Sequence, residues 1–154
     1  ENIMSITKKL MSIVMVLALA VGVTACGGSA KSAGGSVEVY SYAEDFVEAG
    51  YEGDCINTNA YTLILSGDNY TLQKAFYVNQ ISGVIVANTT AQYTGTCTVS
   101  EADGVKTVTL NAPTEAFCNL NGGVSTSAED PDLLSDFEWS TITCDTATKT
   151  LTLG

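Results

Sequence analysis

The chain has 154 residues, with 17 acidic side chains against six basic ones, all lysine, and no histidine, for a net charge of −11. Nucleic-acid affinity rests on Lys and Arg neutralising phosphates, so a polyanion-binding surface is excluded. The missing His and Arg remove the usual general base near neutral pH, every nucleophile–histidine pair, imidazole-built zinc sites and the bidentate guanidinium fork. An enzyme of the common hydrolytic kinds is therefore not expected, nor is a cofactor.

At the N-terminal side, Met4 to Lys9 forms a basic opening, and the 14 residues from Leu10 to Val23 carry no charge. A spanning helix needs roughly 20 apolar residues, so this run suits a cleavable signal better than a membrane span. It ends in Val23-Thr24-Ala25-Cys26 followed by Gly27-Gly28, which resembles the lipobox of a bacterial lipoprotein signal peptide. The resemblance implies that residues 1–25 are removed and that Cys26 carries the lipid. The partner would then be the membrane, and the location its extracytoplasmic face. Residues 26–36 (Cys26-Gly-Gly-Ser-Ala-Lys-Ser-Ala-Gly-Gly-Ser36) contain nothing that packs. Gly/Ser-rich chain is flexible coil, so ten such residues reach on the order of 15–20 Å. This is read as a tether.

Residues 37–154 remain as one β-domain of 118 residues, long enough to bury a core. From Cys26 onward the chain carries 16 acidic residues against four lysines. Ser41 to Ala49 places Ala43, Phe46 and Val47 at helical spacing before Gly50, which predicts a short helix. Tyr61 to Leu65, the turn Ser66-Gly67-Asp68-Asn69 and Tyr70 to Val78 predict a hairpin. Ser82 to Ala87 offers a short apolar strand. Along Tyr93 to Val99, residues Tyr93, Gly95, Cys97 and Val99 share one face and Thr94, Thr96 and Thr98 the other, an antiparallel strand with one wet side. The turn Glu101-Ala102-Asp103-Gly104 leads into Val105 to Leu110, and Pro113 marks an edge or turn before Glu115 to Leu120. Asp130-Pro131-Asp132 is a helix-start signal. Asp136 to Cys144 reads as a strand carrying Phe137, Trp139 and Ile142, turned at Asp145-Thr146-Ala147 into Lys149 to Leu153.

Besides Cys26 there are four cysteines, Cys55, Cys97, Cys118 and Cys144. An even count in an exported chain points to two disulfides, with three pairings open, and free buried thiols are the alternative. The cluster Glu129, Asp130, Asp132, Asp136 and Glu138 could serve a hard cation such as Ca²⁺, or a pair of catalytic carboxylates. Its spacing fits no EF-hand loop, and a solvated helix start accounts for it. The seven tyrosines suit pocket linings or interfaces, and equally ordinary strands.

The strands Tyr61 to Leu72, Tyr93 to Val99 and Lys106 to Leu110, with residues 139–153, resemble the lipocalin-like lipoproteins of Gram-positive bacteria. Cys97 stands where that pattern has an aromatic. The resemblance implies an antiparallel meander of about eight strands closed into a barrel, with a β-sandwich as the alternative fold and one or two short helices. The expectation is a membrane-tethered, extracellular, non-catalytic binding or interaction domain. A small hydrophobic ligand would sit inside the barrel, or a protein or glycan on its outer strands. The alternatives are a ligand-free structural envelope domain and a carboxylate- or calcium-based module on residues 129–138.

Overall fold

A computed structural model describes residues 36–46, 55–80 and 85–154. The segment read as a signal peptide, Cys26 and all but the last residue of the segment read as a tether lie outside the described residues, as do residues 47–49 of the expected helix and 82–84 of the expected strand from Ser82 to Ala87. Nine strands follow one another: β1 (Val37–Phe46), β2 (Cys55–Ser66), β3 (Asn69–Gln80), β4 (Ile85–Ala102), β5 (Val105–Leu110), β6 (Glu115–Leu120), β7 (Gly123–Thr126), β8 (Thr141–Asp145) and β9 (Thr150–Leu153). Seven close into a barrel in the order β1-β2-β3-β4-β5-β8-β9, and β6 and β7 extend the sheet from β4. The fold is the all-β, lipocalin-like barrel that the sequence predicts, and closure of the sheet rules out the sandwich. Neighbouring strands run antiparallel except at the seam, where Ser41 of β1 meets Thr150 of β9 in parallel. An odd number of strands in a meander forces this, because alternation brings the first and last into the same direction.

Three two-residue turns set the register. Gly67 takes φ +60° between Ser66 and Asn69; Asp103 and Gly104 take +52° and +79°; Asn121 and Gly122 take +49° and +93°. Asp-Gly and Asn-Gly with both φ values positive match the twist of the strands they join. The long β4 organises the rest. One edge of its first part pairs with β3, while the other edge takes β6 over Thr89–Thr94 and β5 over Cys97–Ala102. Between β5 and β6, Asn111 N–H donates to the Thr96 carbonyl at 2.9 Å and Thr114 N–H to the Thr94 carbonyl at 2.9 Å. Pro113, which has no N–H, sits in this break. So β5 and β6 form one interrupted run along β4; β5 then pairs with β8 in the barrel wall and β6 with β7 outside it.

The structure corrects three elements. Ser41–Phe46, expected in a helix, belongs to β1, paired residue by residue with β2 from Val37↔Ser66 to Phe46↔Asn57. A lone helix of nine residues is marginal in water, and a full ladder to β2 outweighs its periodicity. The second expected helix is one 3₁₀ turn, Pro131–Leu134, capped by Asp130, whose carboxylate accepts from the Asp132 N–H. Of Asp136–Cys144, only the part from Thr141 is strand. Phe137 and Trp139 instead cross one opening of the barrel.

Candidate functional site

Alternation decides which residues face the lumen. Tyr40, Leu63, Leu72 and Tyr93 lie in one cross-strand row over β1 to β4, each at most 5% exposed. Val108, Ile142, Cys144 and Leu151 meet them from β5, β8 and β9, none more than 2% exposed. Gly95 is needed beside Tyr70: a Cβ there would lie 2.8 Å from the Tyr70 ring. Without one, the ring lies flat on β4 while its hydroxyl donates to the Asn111 carbonyl at 2.9 Å. Burial pushes that hydroxyl's pKa up to about 12.

Above this row, Phe137 and Trp139 plug the barrel. Phe137 lies 5.2 Å from Tyr93 and 6.0 Å from Tyr70, and Trp139 lies 6.1 Å from Tyr61 and 5.9 Å from Tyr93. Lys74 stands 5.4 Å over the Trp139 ring and 3.9 Å from the Glu138 carboxylate. These rings, together with the buried row beneath them, occupy lumen-facing positions where the sequence reading placed a small hydrophobic ligand. Beyond the plug, the free ends of the strands expose Tyr42, Phe46 and Leu120 on the lumen-facing side.

The other end of the barrel is polar and concave. A pocket of about 200 Å³ is lined by Ser36, Glu38, Leu65, Gly67, Val99 and Lys106. Glu38 shares its phase on β1 with Tyr40, and Lys106 shares its phase on β5 with Val108 and Leu110, so both point inward. They come from strands that are not neighbours and meet across the lumen, with Lys106 Nζ donating to Glu38 Oε1 at 2.5 Å. The Tyr40 hydroxyl donates to the other carboxylate oxygen, Oε2, also at 2.5 Å. Glu101, opposite Lys106 in the β4–β5 pair, stands at the rim with Oε2 3.7 Å from Nζ, an ion pair too long for a hydrogen bond. The hydrogen bond from Lys106, then that from Tyr40, holds the Glu38 carboxyl below its ordinary range, and Glu38 in turn raises Lys106. Both are charged at neutral pH. Burial, and secondly Glu38, raises the Tyr40 hydroxyl, keeping it a donor.

The structure separates the other candidates. Cys97, Cys118 and Cys144 are free thiols in this structure, the alternative that the sequence left open beside disulfides. Register gives the reason. Cys144 sits opposite Lys106, which sits opposite Glu101, four residues along β4 from Cys97; that offset alone is roughly 13 Å at 3.3 Å per residue. Cys118 sits opposite Ala91, six residues from Cys97, or roughly 20 Å. Disulfide-linked Cα atoms lie within about 7 Å. The Cys55 backbone is placed opposite Gln80 at the far end of β2, and its side chain lies outside the described residues. Burial pushes the Cys144 thiol up to about 11, so it is protonated and unreactive. The acidic cluster has local tasks: Asp130 caps the 3₁₀ turn, Glu129 accepts from the Thr126 N–H and hydroxyl, and Glu138 faces Lys74. Among the described residues no group of carboxylates or thiols gathers as a metal site.

The sequence reading missed the Glu38–Lys106 pair, although a signal was present. In Val105-Lys-Thr-Val-Thr-Leu110, Lys106 falls on the apolar phase, where a charge needs a partner. Its partner went unseen because β1 was divided between domain start and helix. The chain matches no known protein-family profile, no curated protein and no solved structure, so the reading of this site rests on its geometry.

Proposed function

We propose that this chain is a lipid-anchored lipoprotein of the extracytoplasmic membrane face whose barrel is a non-catalytic binding module for a small molecule. The ligand is taken at the barrel mouth and not in its interior. The observation that carries the reading is the charged bridge of Tyr40, Glu38 and Lys106 beneath a pocket, at the end of a barrel whose lumen-facing row is buried and apolar. An apolar filling of the same space would be at least as stable, since desolvating an ion pair offsets much of its attraction. Polar groups converging on a concavity in a rigid wall are the usual setting of a binding site. The lipobox around Cys26 supports the anchor, and the absence of His and Arg supports binding over catalysis.

Two experiments test this. Cys26→Ser releases the protein from the membrane fraction of the producing cell; unchanged retention refutes the anchor. Titration of the detergent-solubilised chain with neutral, anionic, cationic and zwitterionic small molecules, followed by ¹H–¹⁵N spectra, shifts resonances of residues 36–38, 65–67 and 99–106. A second reading, a ligand-free structural domain, is favoured by the buried, apolar row that faces the lumen. It prevails if no compound at tens of millimolar moves those resonances.

A further inference from the structure

We infer that the mouth pocket selects a free α-amino acid with an aliphatic side chain, binding its carboxylate on Lys106 and its ammonium on Glu101. This rests on the binding reading above and narrows it to one ligand class. The charges drawn together at the mouth are the carboxylates of Glu38 and Glu101 and the ammonium of Lys106. A second ammonium, Lys149, stands 5.1 Å over the Tyr40 ring and acts on Glu38 from a distance. Glu38 has both oxygens engaged, one by Lys106 and one by Tyr40, and is therefore structural. Lys106 has three N–H donors. One goes to Glu38, and Glu101 at 3.7 Å takes no hydrogen bond from the others. The ammonium, its side chain 15% exposed, thus lines the pocket with donor capacity to spare, and Glu101, 52% exposed, stands beside it as an acceptor.

A ligand with only a carboxylate gains Lys106 but meets Glu38 and Glu101. One with only an ammonium gains Glu101 but meets Lys106. A zwitterion satisfies both, replacing one loose ion pair with two charge-assisted hydrogen bonds. Because Nζ and Oε2 are 3.7 Å apart, the ligand's two charges must also lie close together. In an α-amino acid a single carbon separates them. Leu65, 4% exposed, and Val99, 43% exposed, supply an apolar wall for its side chain. Gly67 leaves open space, since a Cβ built there meets nothing within 4 Å. The volume of about 200 Å³ corresponds to some six or seven waters, at roughly 30 Å³ each. That admits one amino acid.

The test compares leucine, glycine, 4-methylpentanoate, 3-methylbutylamine and 3-methylbutanol as ligands of the detergent-solubilised full chain, read by calorimetry and by ¹H–¹⁵N shifts at residues 99–106. An open pocket of this size and a ligand of this few atoms give a dissociation constant on the order of 1 mM for leucine. We expect glycine, the amine and the carboxylate to bind at least tenfold more weakly, and the alcohol not to bind. Lys106→Met removes leucine binding. Glu101→Gln, at an exposed rim position that leaves the fold intact, reduces leucine to the level of 4-methylpentanoate. If the amine, the carboxylate or the alcohol binds as tightly as leucine, or if Glu101→Gln leaves leucine binding unchanged, the amino-acid assignment is overturned and the binding module stands. If none of the five moves the mouth resonances, both fall.

Discussion

Trp139→Ala tests whether the barrel is closed by its own aromatics. Trp139 is 7% exposed and touches Tyr61, Tyr93 and Phe137 in tilted or edge-on geometry. A buried ring of this size removes about 200 Å² from water, which at roughly 25 cal/mol per Å² sets an upper bound near 5 kcal/mol. The segment around it contains only one 3₁₀ turn and lies at the barrel end, so it settles partly into the space left behind. The expected loss is therefore about 3 kcal/mol, toward the low end for aromatic truncation. Trp139 is the only tryptophan, so urea unfolding is followed by far-UV circular dichroism and not by indole fluorescence. A dye that reports exposed apolar surface should also bind the variant more strongly, because Leu63, Leu72 and Tyr93 lie beneath the plug. A loss under about 1 kcal/mol, with no added dye binding, would show that the ring lies on the surface and that the lumen is not sealed as described.

Gly95→Ala drives a methyl to 2.8 Å from the Tyr70 ring and should cost about 1–3 kcal/mol; a neutral result in thermal melts would remove the close-approach argument. Glu38→Gln should cost about 1–2 kcal/mol at pH 7, discounted because a quarter of the side chain is exposed. Its folded pKa lies below the unfolded value near 4.5, so the wild-type advantage is complete above about pH 4.5 and disappears as pH falls through the folded value. Lys106 is shifted upward, so its share is complete below about 10.5 and disappears as pH rises through its folded value; parallel pH–stability curves for wild type and variant would contradict both. Thiol labelling of the native chain should reach the partly exposed Cys118 before the buried Cys97 and Cys144. A mass-mapped disulfide joining any two of these would refute the register.

Much of the barrel was legible because its strands alternate strictly and its turns carry Gly at positive φ. Tyr93, Gly95 and Cys97 are buried while Thr96 and Thr98 are exposed, as period two requires. Two elements were hidden for definable reasons. In Ser41 to Ala49, spacings of three and four coexist with the alternation Tyr40, Tyr42, Glu44, Phe46, and only the partner strand decides between them. Asn121-Gly122 carried the strongest short hairpin signal in the chain, yet the strand after it, Gly-Val-Ser-Thr, has too little apolar content to be noticed. Phe137 and Trp139 alternate like strand residues. What distinguishes them, the absence of a partner strand among the described residues, belongs to the tertiary fold alone.

The mouth was the least legible part, because its meaning lies in two charges that are 68 residues apart in sequence. Each alone looks like a polar residue on an ordinary strand. Barrel closure sets β1 and β5 on opposite walls, so their inward phases meet across the lumen where the strands begin. The same closure turns Tyr40, Leu63, Leu72 and Tyr93 into the lumen further along, each at most 5% exposed. On the proposed reading, recognition falls to groups already fixed in place at the open end. Lys106 is held by Glu38, Glu38 is held by Tyr40, and Tyr40 is fixed by complete burial. That chain of constraints, from packed core to rim, holds the ammonium at the height where a small charged ligand would meet it.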